Sequence, residues 1–308
     1  MPFDALRSAG RSAVISAAGS PVSSSLEAPG SSAPVAIFDS GLGGLSVLRA
    51  VRAALPDERL IYVADSLYAP YGERDDDFIA DRTLAIGEWL VSQGAKTLVV
   101  ACNTATSQSI AQTRERLSIP VIGVEPGIKP AALTSQTRVV GVLATAVTLR
   151  SARFQALAER HTSDCQFILQ PGHGLVQAVE RCDTNSPELV ALLRSYVQPM
   201  LDANADTLVL GCTHYPFLDE AIRSISGDRL KLVDTSVAIA RQLERQLDSF
   251  GLRAAPAQAQ AVELPRFYST NDGRALRQLA ASLLGLDVTV ERVVIPSRRT
   301  LELESDPV

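Results

Sequence analysis

Lysine is scarce in this chain: of 29 basic residues only Lys96, Lys129 and Lys231 are lysines. A cofactor held as a Schiff base needs a lysine in a cleft. These three stand before a strand-like run, in a proline-rich turn and at the start of another run, all poor positions for that role. Cysteine is scarce too: there are four, none in a CxxC pair, which excludes a disulfide scaffold at this length and speaks against structural zinc. No stretch reaches about 18 uninterrupted apolar residues, so no membrane span is expected. Acidic residues outnumber basic ones for a net charge of −5, and no nucleic-acid-binding face is expected. The GxxxxGK[ST] phosphate loop is missing, and with it one common nucleotide site.

What is present is a 308-residue chain, 46% apolar, which can bury the cores of about two domains. Residues 1–34 stand apart, with 23 of the 34 being Ser, Ala, Gly or Pro. Such a segment cannot bury enough apolar surface to offset its ordering entropy and reads as a disordered extension. Arg7, Arg11 and scattered serines interrupt every candidate signal-peptide core. From Pro34 onward, short apolar runs alternate with amphipathic stretches. Strands are expected at Val35–Phe38, Leu60–Ala64, Thr97–Ala101, Val121–Val124, Val139–Leu143 and Thr207–Leu210. Helical periodicity follows at Leu45–Leu55, Asp77–Gln93 and Ser107–Leu117. Strand and helix in repeated alternation predict an α/β fold, a mostly parallel sheet flanked by helices, with ligands at the strands' carboxyl ends.

The chain also carries a faint internal duplication. Val99–Thr104 and Leu208–Thr213 share one design, an apolar strand, a cysteine and a threonine-bearing turn; Val35–Ser40 and Val140–Thr145 correspond loosely. Intervals agree as well: 63 residues from Asp39 to Cys102, 67 from Thr145 to Cys212. Two such halves, facing each other, would bring Cys102 and Cys212 together across a cleft.

Both cysteines are expected at a strand's carboxyl end just before a helix, whose unpaired amides and partial positive charge favour a thiolate. Those amides, with the Thr104 and Thr213 hydroxyls, can hold a carboxylate. A small buried residue at a tight turn is the plainer reading of either cysteine alone; two in matching settings, with polar neighbours, favour function. Cys165 and Cys182 lack the setting and are assigned to filling, Cys182 on a helix. Asp39-Ser40-Gly41-Leu42-Gly43-Gly44 does not have the GxGxxG spacing, and its carboxylate suits an ammonium group or proton transfer, or a plain helix cap. His214, two residues after Cys212, can polarise a thiol; His161 and His173 have no such context. Pro70-Tyr71-Gly72 follows a strand and otherwise reads as a turn.

Together, Phe38–Val47, Pro70–Gly72, Ala101-Cys-Asn-Thr-Ala105 and Gly211-Cys-Thr-His-Tyr-Pro216, in that order, resemble glutamate racemases, with support from Gly123–Pro130 and Phe267–Thr270. The similarity runs from about Val35 to Val294. It implies a cofactor-independent isomerase in which two thiols work as acid and base on opposite faces of glutamate. Carried over by motif, Cys102, Cys212, Asp39, His214 and Glu180 would be catalytic, Glu180 being placed only by its position in Leu175–Glu180. Substrate would be bound by Asp39, Ser40, Pro70, Tyr71, Gly72, Asn103, Thr104, Thr213 and His214, with no metal. Two similar lobes would result, residues 35–125 plus 239–295 carrying Asp39 and Cys102, and residues 126–238 carrying Glu180, Cys212 and His214; residues 296–308 would be a tail. The resemblance further implies a cytoplasmic enzyme supplying D-glutamate for peptidoglycan, with glutamate as its small-molecule partner, no membrane, and a homodimer as an open expectation. Gln170 stands where the family usually has cysteine, and Phe154 where many members have tyrosine. Alternatives are a related racemase acting on aspartate or a hydantoin, a pyridoxal-phosphate racemase, and a hinged, non-catalytic amino-acid-binding protein.

Overall fold

The computed structural model describes residues 29–163, 165–256 and 263–305. The chain enters through β1 (Val35–Asp39), α1 (Leu45–Ala54), β2 (Leu60–Ala64), α2 (Asp76–Ser92), β3 (Thr97–Val100), α3 (Asn103–Arg116) and β4 (Val121–Gly123). It then crosses to a second group: α4 (Ile128–Thr134), β5 (Val139–Ala144), α5 (Ala146–Arg150), α6 (Ala152–Glu159), β6 (Gln166–Pro171), α7 (Leu175–Glu180), α8 (Pro187–Asp202), β7 (Thr207–Gly211), α9 (Asp219–Ser226) and β8 (Lys231–Val233). Finally α10 (Ser236–Ser249), β9 (Arg266–Ser269), α11 (Arg274–Leu284), β10 (Val290–Arg292) and α12 (Arg298–Ser305) return to the first.

Every strand pairing is parallel, and the order is β10-β9-β2-β1-β3-β4 in one sheet and β6-β5-β7-β8 in the other. Setting aside β9 and β10, the two orders are the same, with β1 matching β5 and β3 matching β7. The duplication suspected from the sequence is thus a repeated topology. In each half the chain reverses its direction of travel between the first and third strands, the switch point where such sheets bind ligands. Asp39 and Cys102 flank one switch point; Thr145 and Cys212 flank the other.

Strands β1, β2, β3 and β7 are buried on both faces, which is why they read as continuous apolar runs rather than alternating ones. Leu45, Leu48 and Val51 of α1 pack with Leu243 and Leu247 of α10 on one face of the first sheet, and Ile79, Ile86 and Leu90 of α2 cover the other with Ile110 of α3. In the second half Leu193, Val197 and Met200 of α8 meet Ile222 of α9 on one face, while Ile128, Leu149 and Phe154 close the opposite face.

Several boundaries differ from expectation for local reasons. Helix α3 starts at Asn103 rather than Ser107 because Cys102 itself caps it, its sulfur accepting from the Ala105 amide at 3.4 Å. Cys182 is not helical: α7 ends at Glu180 and Cys182 has a left-handed φ of 60°. Of the Ser/Ala-rich extension, residues 1–28 lie outside the described residues, whereas the Gly30–Pro34 turn is held by the buried Lys96, whose Nζ donates to Ser31 O and pairs with Glu58, both at 2.5 Å. Nor is the stretch after Pro296 a bare tail. Arg299 in α12 donates its amide to Asp81 at 2.8 Å and pairs with Asp77 at 2.9 Å, binding that helix to α2.

The turn between α4 and β5 is anchored by Asp206, which takes the Ser135 hydroxyl at 2.7 Å and the Gln136 and Thr137 amides at 2.6 and 2.9 Å. Burial would raise its carboxyl, but these donors win and hold it down at about 2. A depressed carboxyl stabilises the fold above its ordinary pKa, and that contribution disappears as pH falls toward the folded value. Asp206→Ala is therefore expected to cost about 2 kcal/mol at pH 7, the size of a charge-assisted hydrogen-bond set. In urea melts, the gap to wild type should narrow between pH 4 and pH 2; a gap independent of pH would refute the assignment.

Candidate active site

The two switch points face each other, and the residues at the strand ends bond across the divide. Cys102 follows β3. The residue is 5% exposed, and its sulfur lies 3.4 Å from Ser40 Oγ. Burial pushes the thiol up to about 12, helped by the nearby Asp39 carboxylate and the field of Cys212, against the opposing hydrogen bonds from Ser40 and the Ala105 amide. The helix start therefore does not produce a thiolate here, as the sequence had suggested: one amide and the helix dipole do not offset full desolvation.

Cys212 corrects the same expectation in another way. It follows β7 but no α-helix starts there; a turn through Thr213 and His214 leads into a short 3₁₀ segment, Tyr215–Leu218, and α9 begins only at Asp219. What Cys212 has instead is a histidine. Its sulfur lies 3.6 Å from His214 Nδ1, and His214 Nε2 faces Glu180 Oε1 at 2.6 Å. Burial alone would lower His214, but the Cys212 sulfur and the Glu180 carboxylate outweigh it and hold the imidazole well above its ordinary value. Glu180, the last residue of α7, is thereby brought to the site from thirty-four positions upstream of His214.

Asp39 lies between the two thiol settings. It accepts the Gly41 amide at 2.8 Å and the Thr213 hydroxyl at 2.9 Å. Burial raises its carboxyl, with His214, Gly41 and Thr213 pulling the other way. Sequence alone left open which cysteine each assisting residue serves. The geometry pairs His214 and Glu180 with Cys212, and gives Asp39 electrostatic contact with Cys102 and His214 alike.

The expected binding residues divide. Ser40, Asn103, Thr104 and Thr213 are buried at the facing strand ends. Thr104 Oγ1 lies 2.9 Å from Thr145 Oγ1 of the other half, and Gly72 rests against that same threonine. Asn103 Nδ2 is a buried donor without a partner, at a place where a carboxylate oxygen could take it. Pro70 and Glu180, one from each half, line a cavity of about 290 Å³ together with Ser66, Ser269 and Gln177. The Tyr71 hydroxyl donates to Asp65 at 2.6 Å, inside a fully buried pair of Asp65 with Arg82 at 2.7 Å, so what Tyr71 can offer a ligand is its backbone. The Thr145 and Thr148 hydroxyls, 3.0 Å apart, were missed from sequence. The signal existed, since Thr145 occupies after β5 the place of Ser40 after β1. Among the described residues no cluster of His, Cys, Asp and Glu could hold a metal ion.

A family model described as Asp/Glu/hydantoin racemase matches residues 45–243. The chain is 59% identical over 263 residues to a glutamate racemase of Ralstonia pickettii, covering 85% of this chain and 92% of that one. Among solved structures, Escherichia coli glutamate racemase in complex with L-glutamate and the activator UDP-MurNAc-Ala is 32% identical, with a TM-score of 0.75 over 86% of this chain and 100% of that one. Glutamate racemase from Francisella tularensis in complex with D-glutamate is 26% identical, with a TM-score of 0.74 over 86% and 98% of the two chains.

Proposed function

This chain belongs to the Asp/Glu/hydantoin racemase family, and we propose that it interconverts L- and D-glutamate through Cys102 and Cys212. The observation that carries this reading is the pair of buried thiols at facing switch points, one held protonated by burial and the other in contact with a histidine–carboxylate pair. The relatives support the substrate, since one is solved with each enantiomer.

Racemisation removes a weakly acidic α-proton and returns one to the opposite face. A thiolate at one cysteine takes the proton, forming an S–H bond as the Cα–H electron pair passes into the carboxylate. The thiol opposite then gives its proton to the other face of Cα and is left as thiolate. The next turnover runs in reverse, and no net oxidant or reductant is needed. His214, held by Glu180, would stabilise whichever state Cys212 occupies, while Asp39 lies close to both Cys102 and His214. The free Asn103 amide, with Ser40, Thr104 and Thr213, would hold the α-carboxylate as negative charge grows on it. We place the reaction in the cytoplasm, supplying D-glutamate to peptidoglycan; among the described residues no helix is long and apolar enough to cross a membrane.

A Schiff-base route finds no support: Lys96 is buried in its pair with Glu58, and Lys129 and Lys231 are exposed, Lys129 after the first crossing and Lys231 at the start of β8. Incubation with either glutamate enantiomer in deuterated water, without added cofactor, is expected to abolish optical rotation with deuterium at Cα. Parallel aspartate should remain unchanged. Faster exchange of aspartate than glutamate would overturn the substrate, and no exchange of any amino acid would favour a binding protein.

A further inference from the structure

The Asp39–Gly44 segment leaves the carboxyl end of β1 and runs directly onto residues of the second half. The Leu42 amide donates to Glu180 Oε1 at 2.7 Å, and that same oxygen faces His214 Nε2 at 2.6 Å. The Ser46 hydroxyl reaches Thr213 O at 3.3 Å, and the Thr213 hydroxyl reaches Asp39. Two glycines allow this approach. A Cβ at Gly41 would collide with Glu180 Oε1, and one at Gly43 would stand 2.5 Å from both His214 Nδ1 and Thr213 Oγ1. Cys102 is set differently, by Ser40 and the Ala105 amide of its own half.

We infer that Gly41, Leu42 and Gly43 are positioning residues, whose docking on Glu180 and His214 makes proton transfer at Cys212 conditional on closure of the two halves. The inference rests on the racemase reading above. Both cysteines are nearly sealed, the residues 5% and 6% exposed, so a substrate reaches them only when the halves part. Parting removes the Leu42 donor from Glu180 and leaves that carboxylate held by His214 alone, free to turn toward water. Closure restores the donor. Cys102 keeps its contacts in either state. Cys102 is thus set within its own half, whereas the Glu180–His214 pair beside Cys212 gains its last donor, the Leu42 amide, only when the two halves meet.

Gly41→Ala and Gly43→Ala, assayed with α-deuterated L- and D-glutamate, test the inference. With proton transfer at Cys212 misaligned, kcat is expected to fall at least about tenfold while KM stays within about threefold. The transfer at Cys212 then limits both directions. The primary isotope effect should rise for the enantiomer whose proton Cys212 removes and shrink toward unity for the other. Isotope effects that change equally for both enantiomers, or an unchanged kcat, would overturn the inference. A second measurement does not need the glycine variants to fold: Glu180→Ala should speed hydrogen exchange at the Leu42 amide by about tenfold or more, as loss of a charge-assisted bond implies. Equal exchange in the two proteins would overturn it as well. A wild-type chain that exchanges no α-proton would instead sink the racemase reading, and the Leu42 measurement would stand apart from that failure.

Discussion

Serine in place of Cys102, or of Cys212, is expected to slow L/D interconversion of glutamate by about 10³-fold or more. A hydroxyl keeps the size and hydrogen bonding of the site but is a far weaker acid, and a positioned acid or base contributes about 10²–10⁴-fold. Each thiol serves as base in one direction and acid in the other, so neither variant can be spared. Because the enantiomers are equal in free energy, kcat/KM must fall equally in both directions, whichever cysteine is changed. Circular dichroism starting from each enantiomer checks this. Cys165→Ala provides the control, since its sulfur donates to Ala132 O at 3.5 Å within the second half's core and touches no site residue. That variant should turn over within about twofold of wild type, as a core substitution away from the chemistry does. Near-normal racemisation in either serine variant would end the two-thiol scheme.

How far the sequence anticipated this site depends on the range of the contacts involved. The strands were legible because burial on both faces writes itself as an apolar run, and Leu60–Ala64 needs no correction. Cys102, Cys212 and Asp39 were legible because strand ends at switch points are where such sheets place ligands. The setting of the Tyr71 hydroxyl was not legible, because its partner Asp65 is itself held by Arg82 from a helix further on, and no local pattern signals that network. Glu180 could be placed only by resemblance, since its bonds go to His214 and, 138 residues away, to the Leu42 amide. The short turn after Cys212 was taken for a helix start because Gly211–Pro216 gives strand-to-helix signals. Pro216 opens a 3₁₀ segment there rather than an α-helix.

Raising pH above 9 is expected to destabilise the fold steeply, and Cys102 should carry the first part of the loss. Burial holds its thiol at about 12, against an ordinary value of 9.0. Between those values the unfolded chain has released the proton and the folded chain has not. The unfolded state therefore binds fewer protons, and stability falls as pH rises. Three pKa units correspond to about 4 kcal/mol, a large share of the 5–15 kcal/mol that hold an ordinary domain. Tyr62, Tyr71 and Tyr215, which burial also raises well above 10, add losses of the same sign at higher pH. Cys102→Ala isolates the thiol. Removing the sulfur changes packing by a constant amount, but only wild type should lose a further 2 kcal/mol or so between pH 8 and pH 10.5. Urea midpoints under reducing conditions read this directly, and parallel pH curves for the two proteins would refute it.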